Sequence, residues 1–315
     1  MQSTKWTFLL PVIATLFWGG NFVAGRATLP EVPPFTLSLL RWSIALFIIL
    51  PFTFRDIRQN YKMYLRHWKT ILGMGFLGIA AFTGIVYESI LHTSAINAAI
   101  LSSWAPLMIV IVSFLVLKEK INPSQIVGLV LSFLGVMWIV SKGSLAQLSH
   151  FQVNIGDLLM LVGNLIWAFY SILVRKSSGQ MPGLTGFTLS IAAGVLFLLP
   201  ASVWEMQTQT VNLASGQVIG ALLYLGLFAS VIAFFCWTVT VQNIGPAKAS
   251  PFLNLVPLFA TVFAIILLGE QLEVAQSIGG MFILVGVYVS FQQRRPRAFK
   301  LFKRREESVA REVNA

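Results

Sequence analysis

The sequence predicts an all-α membrane protein, with ten transmembrane helices arranged as two inverted five-helix repeats around a central cavity. Three observations lead there. The composition is too apolar for water, the chain contains long runs without charge, and an internal repeat divides it in two.

Of the 315 residues, 57% are hydrophobic and only 10% are charged, with a mean hydropathy of +0.80. A soluble domain carries roughly 25% charged residues, so most of this surface cannot face water. Residues 6–25, 121–141, 177–204, 206–247, 249–269 and 274–293 contain no Asp, Glu, Lys or Arg. About 20 apolar residues in a helix cross a hydrocarbon core of ~30 Å. The run 206–247 is too long for one crossing and is divided by a polar loop at 207–217. The resulting spans are 7–26, 35–54, 69–91, 97–117, 124–141, 156–174, 184–204, 217–240, 248–268 and 275–293. Continuous apolarity favours helices over a membrane barrel, whose strands alternate polar and apolar residues.

The net charge of +11 has an ordered distribution. With the N-terminus in the cytoplasm, nearly all of the 22 Lys and Arg fall on the inner side: Lys5, the cluster from Arg55 to Lys69, Lys118 and Lys120, Arg175 and Lys176, Lys248, and the tail 294–315. Arg26 and Lys142 fall outside, and Arg41 lies within a span. This positive-inside bias predicts cytoplasmic N- and C-termini in a cell (inner) membrane. The basic tail is expected near anionic headgroups rather than on nucleic acid. The first span is longer than the core of a signal peptide. Cys236 is the only cysteine, which excludes an internal disulfide.

A shift of 151 residues superimposes two long segments without a gap. Ala98, Pro106, Leu117, Glu119, Gln125, Gly128 and Gly135 meet Ala249, Pro257, Leu268, Glu270, Gln276, Gly279 and Gly286. Nearer the start of each half the shift is 149: Trp18, Arg26 and Pro51 meet Trp167, Arg175 and Pro200. The repeats are residues 1–145 and 146–293. Five spans per repeat is an odd number, so the second repeat starts on the opposite side of the membrane. Such inverted repeats hold a substrate site near the midplane, between the halves.

The first repeat reads FWGGNFVAGR and then TSAINAAILSSWAPLMIVIVSFLVLKEKINPSQIVGLVLSFLGV. The second reads NIGPAKASPFLNLVPLFATVFAIILLGEQLEVAQSIGGMFILVGV. Both resemble the EamA repeats of the drug/metabolite transporter superfamily, and the resemblance covers about residues 8–292. It implies a ten-helix bundle with a central cavity and export of small metabolites, amino acids or drugs, without selecting one substrate.

Polar groups inside a bilayer are costly and face a cavity or a partner. Arg41 lies about six residues, ~9 Å, into the second span from its outer end, and its repeat equivalent is Ser190. Glu88 lies about three residues, ~4.5 Å, from the outer end of the third span. The two either pair, or divide the work: Arg41 for substrate and Glu88 for a coupling proton. The alternative is snorkelling to headgroups. Trp18, Asn21 and Phe22 cluster on one face of a helix, as do Trp167 and Tyr170 in the repeat. Tyr87, Trp104, Trp237 and Asn254 complete an expected amphipathic pocket. Its rings would also accept a cationic or aromatic substrate. Taken singly, each residue fits ordinary helix packing as well. Pro106 and Pro257 should kink the fourth and ninth spans as a matched pair of gates. Glu119 and Glu270 should contact helix ends or start the following helices.

No Walker loop, zinc-protease helix or Gly-x-Ser-x-Gly elbow occurs, and His67, His92 and His150 are scattered. The expectation is a secondary transporter, not an enzyme, without cofactor or metal. A small molecule, the bilayer and protons are its expected partners, and a monomer or homodimer its state. A membrane scaffold or receptor and an intramembrane enzyme are the rival readings. Short loops disfavour the first, and the lack of paired acids or a nucleophile disfavours the second.

Overall fold

A computed structural model describes residues 4–93, 101–144, 154–268 and 273–291; these form helices joined by short turns and loops, with no strand among them. In chain order the long helices are α1 (Thr4–Thr28), α2 (Pro34–Gln59), α3 (Trp68–His92), α4 (Ala105–Leu117), α5 (Pro123–Val140), α6 (Ile155–Ser177), α7 (Gly183–Thr208), α8 (Gly216–Ile244), α9 (Leu255–Leu268) and α10 (Val274–Phe291). Among the described residues eight helices are long and apolar enough to cross a membrane. The exceptions are α4 and α9, which occupy equivalent places in the two repeats. The expected span 248–268 is therefore corrected, its regular helix starting at Leu255; of the expected span 97–117, residues 97–100 lie outside the described residues, Leu101 and Ser102 are helical, and continuous helix starts at Ala105 after a turn at Ser103–Trp104. Pro246–Ala249 is a separate turn of helix, and Ser250–Asn254 is a 3₁₀ turn.

Local sequence explains several boundaries. Pro34 opens α2, where a missing N–H costs nothing. Asn154 and Asp157 form a reciprocal capping box at the start of α6. Gly245, at φ +85°, ends α8 in a conformation that side chains rarely adopt. The prolines inside helices are Pro11, Pro51 and Pro200. Pro106 and Pro257 instead stand in the first turns of α4 and α9, where no intrahelical bond is lost. Neither proline stands in the interior of a continuous helix, as the expected kinks required: Pro106 follows the turn at Ser103–Trp104, and Pro257 follows the 3₁₀ turn Ser250–Asn254.

The repeat is visible in the packing. Helix α2 packs on its equivalent α7, and α5 on its equivalent α10. Helix α1 packs on α8 and α9, while its equivalent α6 packs on α3 and α4. Both self-equivalent pairs run antiparallel. Along α5 and α10, Gly135 faces Gly279 and Gly128 faces Gly286. A Cβ on Gly135 would stand 2.6 Å from the Gly279 carbonyl oxygen, and one on Gly286 2.6 Å from that of Gly128. Backbones this close leave no room for any side chain, so the seam requires glycine. At its centre Ser132 Oγ donates to the carbonyl of Ile283, its own repeat equivalent, at 3.4 Å. Between α2 and α7, Glu205 accepts from the Phe35 and Thr36 amides at 3.0 and 2.7 Å and so caps α2.

Large apolar side chains cover the outside. Phe47, Phe52, Leu115, Ile266, Met281 and Tyr288 are all exposed. Water would oppose that surface, whereas lipid accepts it.

Candidate functional site

A cavity of about 350 Å³ lies inside the bundle. Its wall contains Trp18 and Asn21 of α1, Arg41 of α2, Phe82, Thr83 and Tyr87 of α3, Asn164 and Trp167 of α6, Phe234 of α8, and Pro257 of α9. Ser102 and Ser103 stand where a short helical stretch gives way to the turn before α4, and Leu253 belongs to the 3₁₀ turn before α9. Irregular backbone at membrane depth is tolerated where it lines a cavity. The cavity reaches Arg26 and Ile90 near the C-terminal ends of α1 and α3, and Arg26 there is exposed.

Arg41 is the centre of the polar wall and is only 2% exposed. Its Nε donates to Ser230 Oγ at 2.8 Å. Its Nη1 donates to Asn21 Oδ1 at 2.7 Å and to the Tyr87 hydroxyl. Tyr87 in turn donates to Asn21 Oδ1 at 3.0 Å. Two donors converging on one atom fix that atom as the amide oxygen. The guanidinium also lies 5.4 Å from the Trp42 ring centre and 5.7 Å from that of Tyr87.

Two π-helical turns, Gly75–Ala81 in α3 and Leu225–Ile232 in α8, stand at matching places in the repeats. Such turns shift the register of a helix by one residue and recur at functional sites. In α8 the turn presents Ser230 to Arg41, with Ser230 Oγ donating to the Leu225 carbonyl at 2.8 Å. The adjacent Ala229 carbonyl accepts the Trp18 indole N–H at 3.1 Å.

The opposite wall and floor are aromatic. Trp18 and Trp167, repeat equivalents, meet edge to face at 5.3 Å. Phe234 packs edge to face against both, at 5.4 and 5.3 Å, and Trp237 closes the group beneath at 5.7 Å from each indole. Edge-to-face pairs of this kind contribute about 0.5–1.5 kcal/mol each beyond burial.

Beyond this floor the bundle is shut. Arg175, the equivalent of Arg26, donates through Nη1 to the Gln242 carbonyl, and Ser178 Oγ reaches the same oxygen at 3.5 Å. Glu119 sits over the α8–α9 junction; a Cβ at Gly245 would stand 2.7 Å from its Oε1. Its carboxyl takes a backbone hydrogen bond from Ala247 and lies near Arg175 and Lys248. Burial outweighs these neighbours and holds its pKa above the usual carboxylate value. Glu119 thus contacts a helix end, as expected; Glu270 lies outside the described residues.

The structure brings together Trp18, Asn21, Arg41, Tyr87, Trp167 and Pro257. Tyr170 and Trp237 are core residues behind the wall, with Trp237 Nε1 donating to Ser171 Oγ at 3.4 Å. Asn254 is buried off the wall, and Trp104 is 39% exposed against Phe133. The side chain of Phe22 lies outside the described residues. Glu88 does not pair with Arg41. It pairs with His92 at 2.9 Å, one helical turn away and off the cavity wall. Sequence reasoning missed Thr83, Asn164, Ser102 and Ser103. Asn164 had a readable signal, an amide within an apolar run three residues before Trp167; it donates to the Leu101 carbonyl at 2.7 Å.

A helical exterior of large apolar side chains around a polar-and-aromatic cavity defines a multi-pass membrane protein with an internal cavity. The pattern of the EamA-like transporter family matches residues 5–141 and again 154–292, and the chain belongs to that family. An uncharacterized transporter of Archaeoglobus fulgidus is 29% identical over 284 residues, spanning 90% of this chain and 96% of the relative. The uncharacterized transporter YyaM of Bacillus subtilis is 26% identical, spanning 87% and 89%. A crystal structure with 18% identity superimposes with a TM-score of 0.74 over 92% of this chain and 97% of the other, a likeness of fold.

Proposed function

We propose that the protein is a secondary transporter, working in the direction of export, that moves small organic metabolites across the inner membrane by alternating access of this cavity. In this reading α1 to α10 are ten spans, the shorter α4 and α9 being completed by the residues before them. The two repeats insert in opposite senses, and both termini face the cytoplasm. The antiparallel packing of equivalent helices supports the inversion. One observation carries the mechanism: Arg26 and Arg175 are equivalents, yet Arg26 stands exposed at an open cavity mouth while Arg175 is closed onto Gln242. An inverted repeat in its other state exchanges these conditions. Arg26 would then close onto the C-terminal end of α3, near His92, and Arg175 would be released.

Cysteine pairs test this in a C236A background. Oxidation of an R175C/Q242C pair should hold the present state, and oxidation of an R26C/H92C pair the opposite one. Either cross-link should stop saturable flux in proteoliposomes, and reductant should restore it. Flux that continues through both cross-links overturns alternating access, and turnover of a covalent bond in place of flux would make the protein an enzyme.

A further inference from the structure

We infer that the cavity selects an organic anion, a carboxylate on an apolar or aromatic body, and discriminates against cations. The inference rests on the transport reading and names the chemistry of its substrate.

The guanidinium of Arg41 has five N–H donors. Three are used: Nε on Ser230, and both protons of Nη1 on Asn21 and Tyr87. All three acceptors are neutral. Nη2 has no hydrogen-bond partner among the described residues, yet Arg41 lines the cavity. The Asn21 Oδ1 atom is fully engaged, which turns its Nδ2, also without a protein partner among these residues, toward the same space. The site therefore presents two guanidinium protons and amide protons, held rigid from behind.

The charge balance agrees. A buried guanidinium is costly without a counter-charge, and no carboxylate lies within ion-pair distance of Arg41 among the described residues. The described wall holds two arginines, Arg26 and Arg41, and no Asp or Glu. A carboxylate entering past Arg26 would supply the missing charge and accept charge-assisted hydrogen bonds from Nη2 of Arg41, with the Nδ2 amide of Asn21 beside it. The expectation of a cationic substrate from the aromatic rings is reversed by this field: the rings remain as an apolar bed of Trp18, Phe82, Trp167 and Phe234, but the charge beside them is positive. A zwitterion gains the Arg41 contact but brings an ammonium group for which the described wall has no acid.

Three ligands sharing one indole ring separate these cases: indole-3-propionate, L-tryptophan and tryptamine. Each is measured by thermal stabilisation and by counterflow, using the full chain in nanodiscs and in proteoliposomes. Indole-3-propionate should bind and exchange most tightly, L-tryptophan more weakly, and tryptamine at least about tenfold more weakly than the propionate, as expected for loss of a charge-assisted contact. R41Q should remove the preference for the anion, and R41K should restore it in part. Should R41Q fail to fold, the ranking in the wild type alone decides. Saturable flux of tryptamine equal to or above that of the propionate overturns the anion inference and leaves transport standing. No saturable flux of any of the three, nor of a neutral compound such as indole, overturns both.

Discussion

Arg41 and Ser190 hold equivalent places on α2 and α7, and the difference between them is the difference between the two halves of the cavity. Arg41 reaches inward to Asn21, Tyr87 and Ser230. Ser190 turns back on its own helix, donating to the Gly186 carbonyl at 2.8 Å. On α1 the residue facing Arg41 is Asn21; its equivalent on α6 is Tyr170, a core side chain in contact with Trp167 at 5.0 Å. The frame is thus duplicated, down to a π turn in each third helix and a shared glycine seam, while its contents are not. The first repeat alone supplies the buried charge, Arg41, with Asn21 and Tyr87 as partners and Ser230 joining from the second, while both repeats supply rings. Under the alternating-access proposal, a symmetric frame permits two related states to exchange, and an asymmetric lining would give a ligand one preferred orientation within it.

The largest effect should come from exchanging this contrast. R41Q is expected to lower flux by two orders of magnitude or more, a loss of about 3 kcal/mol or above for a buried charged contact, with membrane insertion unchanged. S190A, at the equivalent place, should leave flux within about twofold, because its hydroxyl serves only its own helix. Equal losses in the two variants would mean that position, and not the guanidinium, is what matters.

A smaller difference separates Trp18 from Trp167. Both pack in the same aromatic group, but the Trp18 indole N–H is spent on the Ala229 carbonyl, and that of Trp167 has no protein partner among the described residues. W18F and W167F lose similar ring area, so their difference isolates the hydrogen bond. W18F should be the less stable by about 1 kcal/mol, read as an apparent Tm lower by about 2–4 °C. Ligand binding should reverse the order, since Trp167 lines the cavity with an indole N–H that no described residue accepts. Equal Tm values would remove the role assigned to the π turn of α8 in fixing Trp18.

What was legible in the sequence follows from how each feature is encoded. The spans and the repeat are written in long-range apolarity and fixed shifts, and Trp18, Asn21, Arg41 and Trp167 stood out as polar or aromatic groups inside apolar runs. Their partnerships were not legible. Ser230 meets Arg41 from 189 residues away, through a π turn whose sequence, LGLFASVI, has no local signature. The prolines misled for a related reason. Pro106 and Pro257 lie at the centres of apolar runs, but the helices begin beside them, and where a helix starts within a run depends on neighbours that leave room for irregular backbone. Glu88 and Arg41 share the outer part of one half, yet a histidine one turn away was the nearer partner.

The closed end gives the smallest and most specific prediction, because there the repeats differ in state and not in lining. Glu119 lies in the connection between α4 and α5, and burial raises its pKa above 4.5. A raised carboxyl pKa means that the folded protein binds more protons than the unfolded chain once pH passes 4.5, so this group's contribution to stability falls as pH rises through the folded-state pKa. Glu119 is half-buried, and solvent screens it; the effect should be about 1–2 °C in apparent Tm. The wild-type Tm minus that of E119Q, followed from pH 4 to pH 7, should decline as pH rises, since glutamine keeps an oxygen for the Ala247 amide but cannot ionise. At the same time, ionised Glu119 is drawn to Arg175 and Lys248, so R175Q should steepen the decline by removing the nearer compensating charge. A difference curve that is flat or rises with pH would show that Glu119 is solvated, and that the Arg175–Gln242 contact closes this end without it.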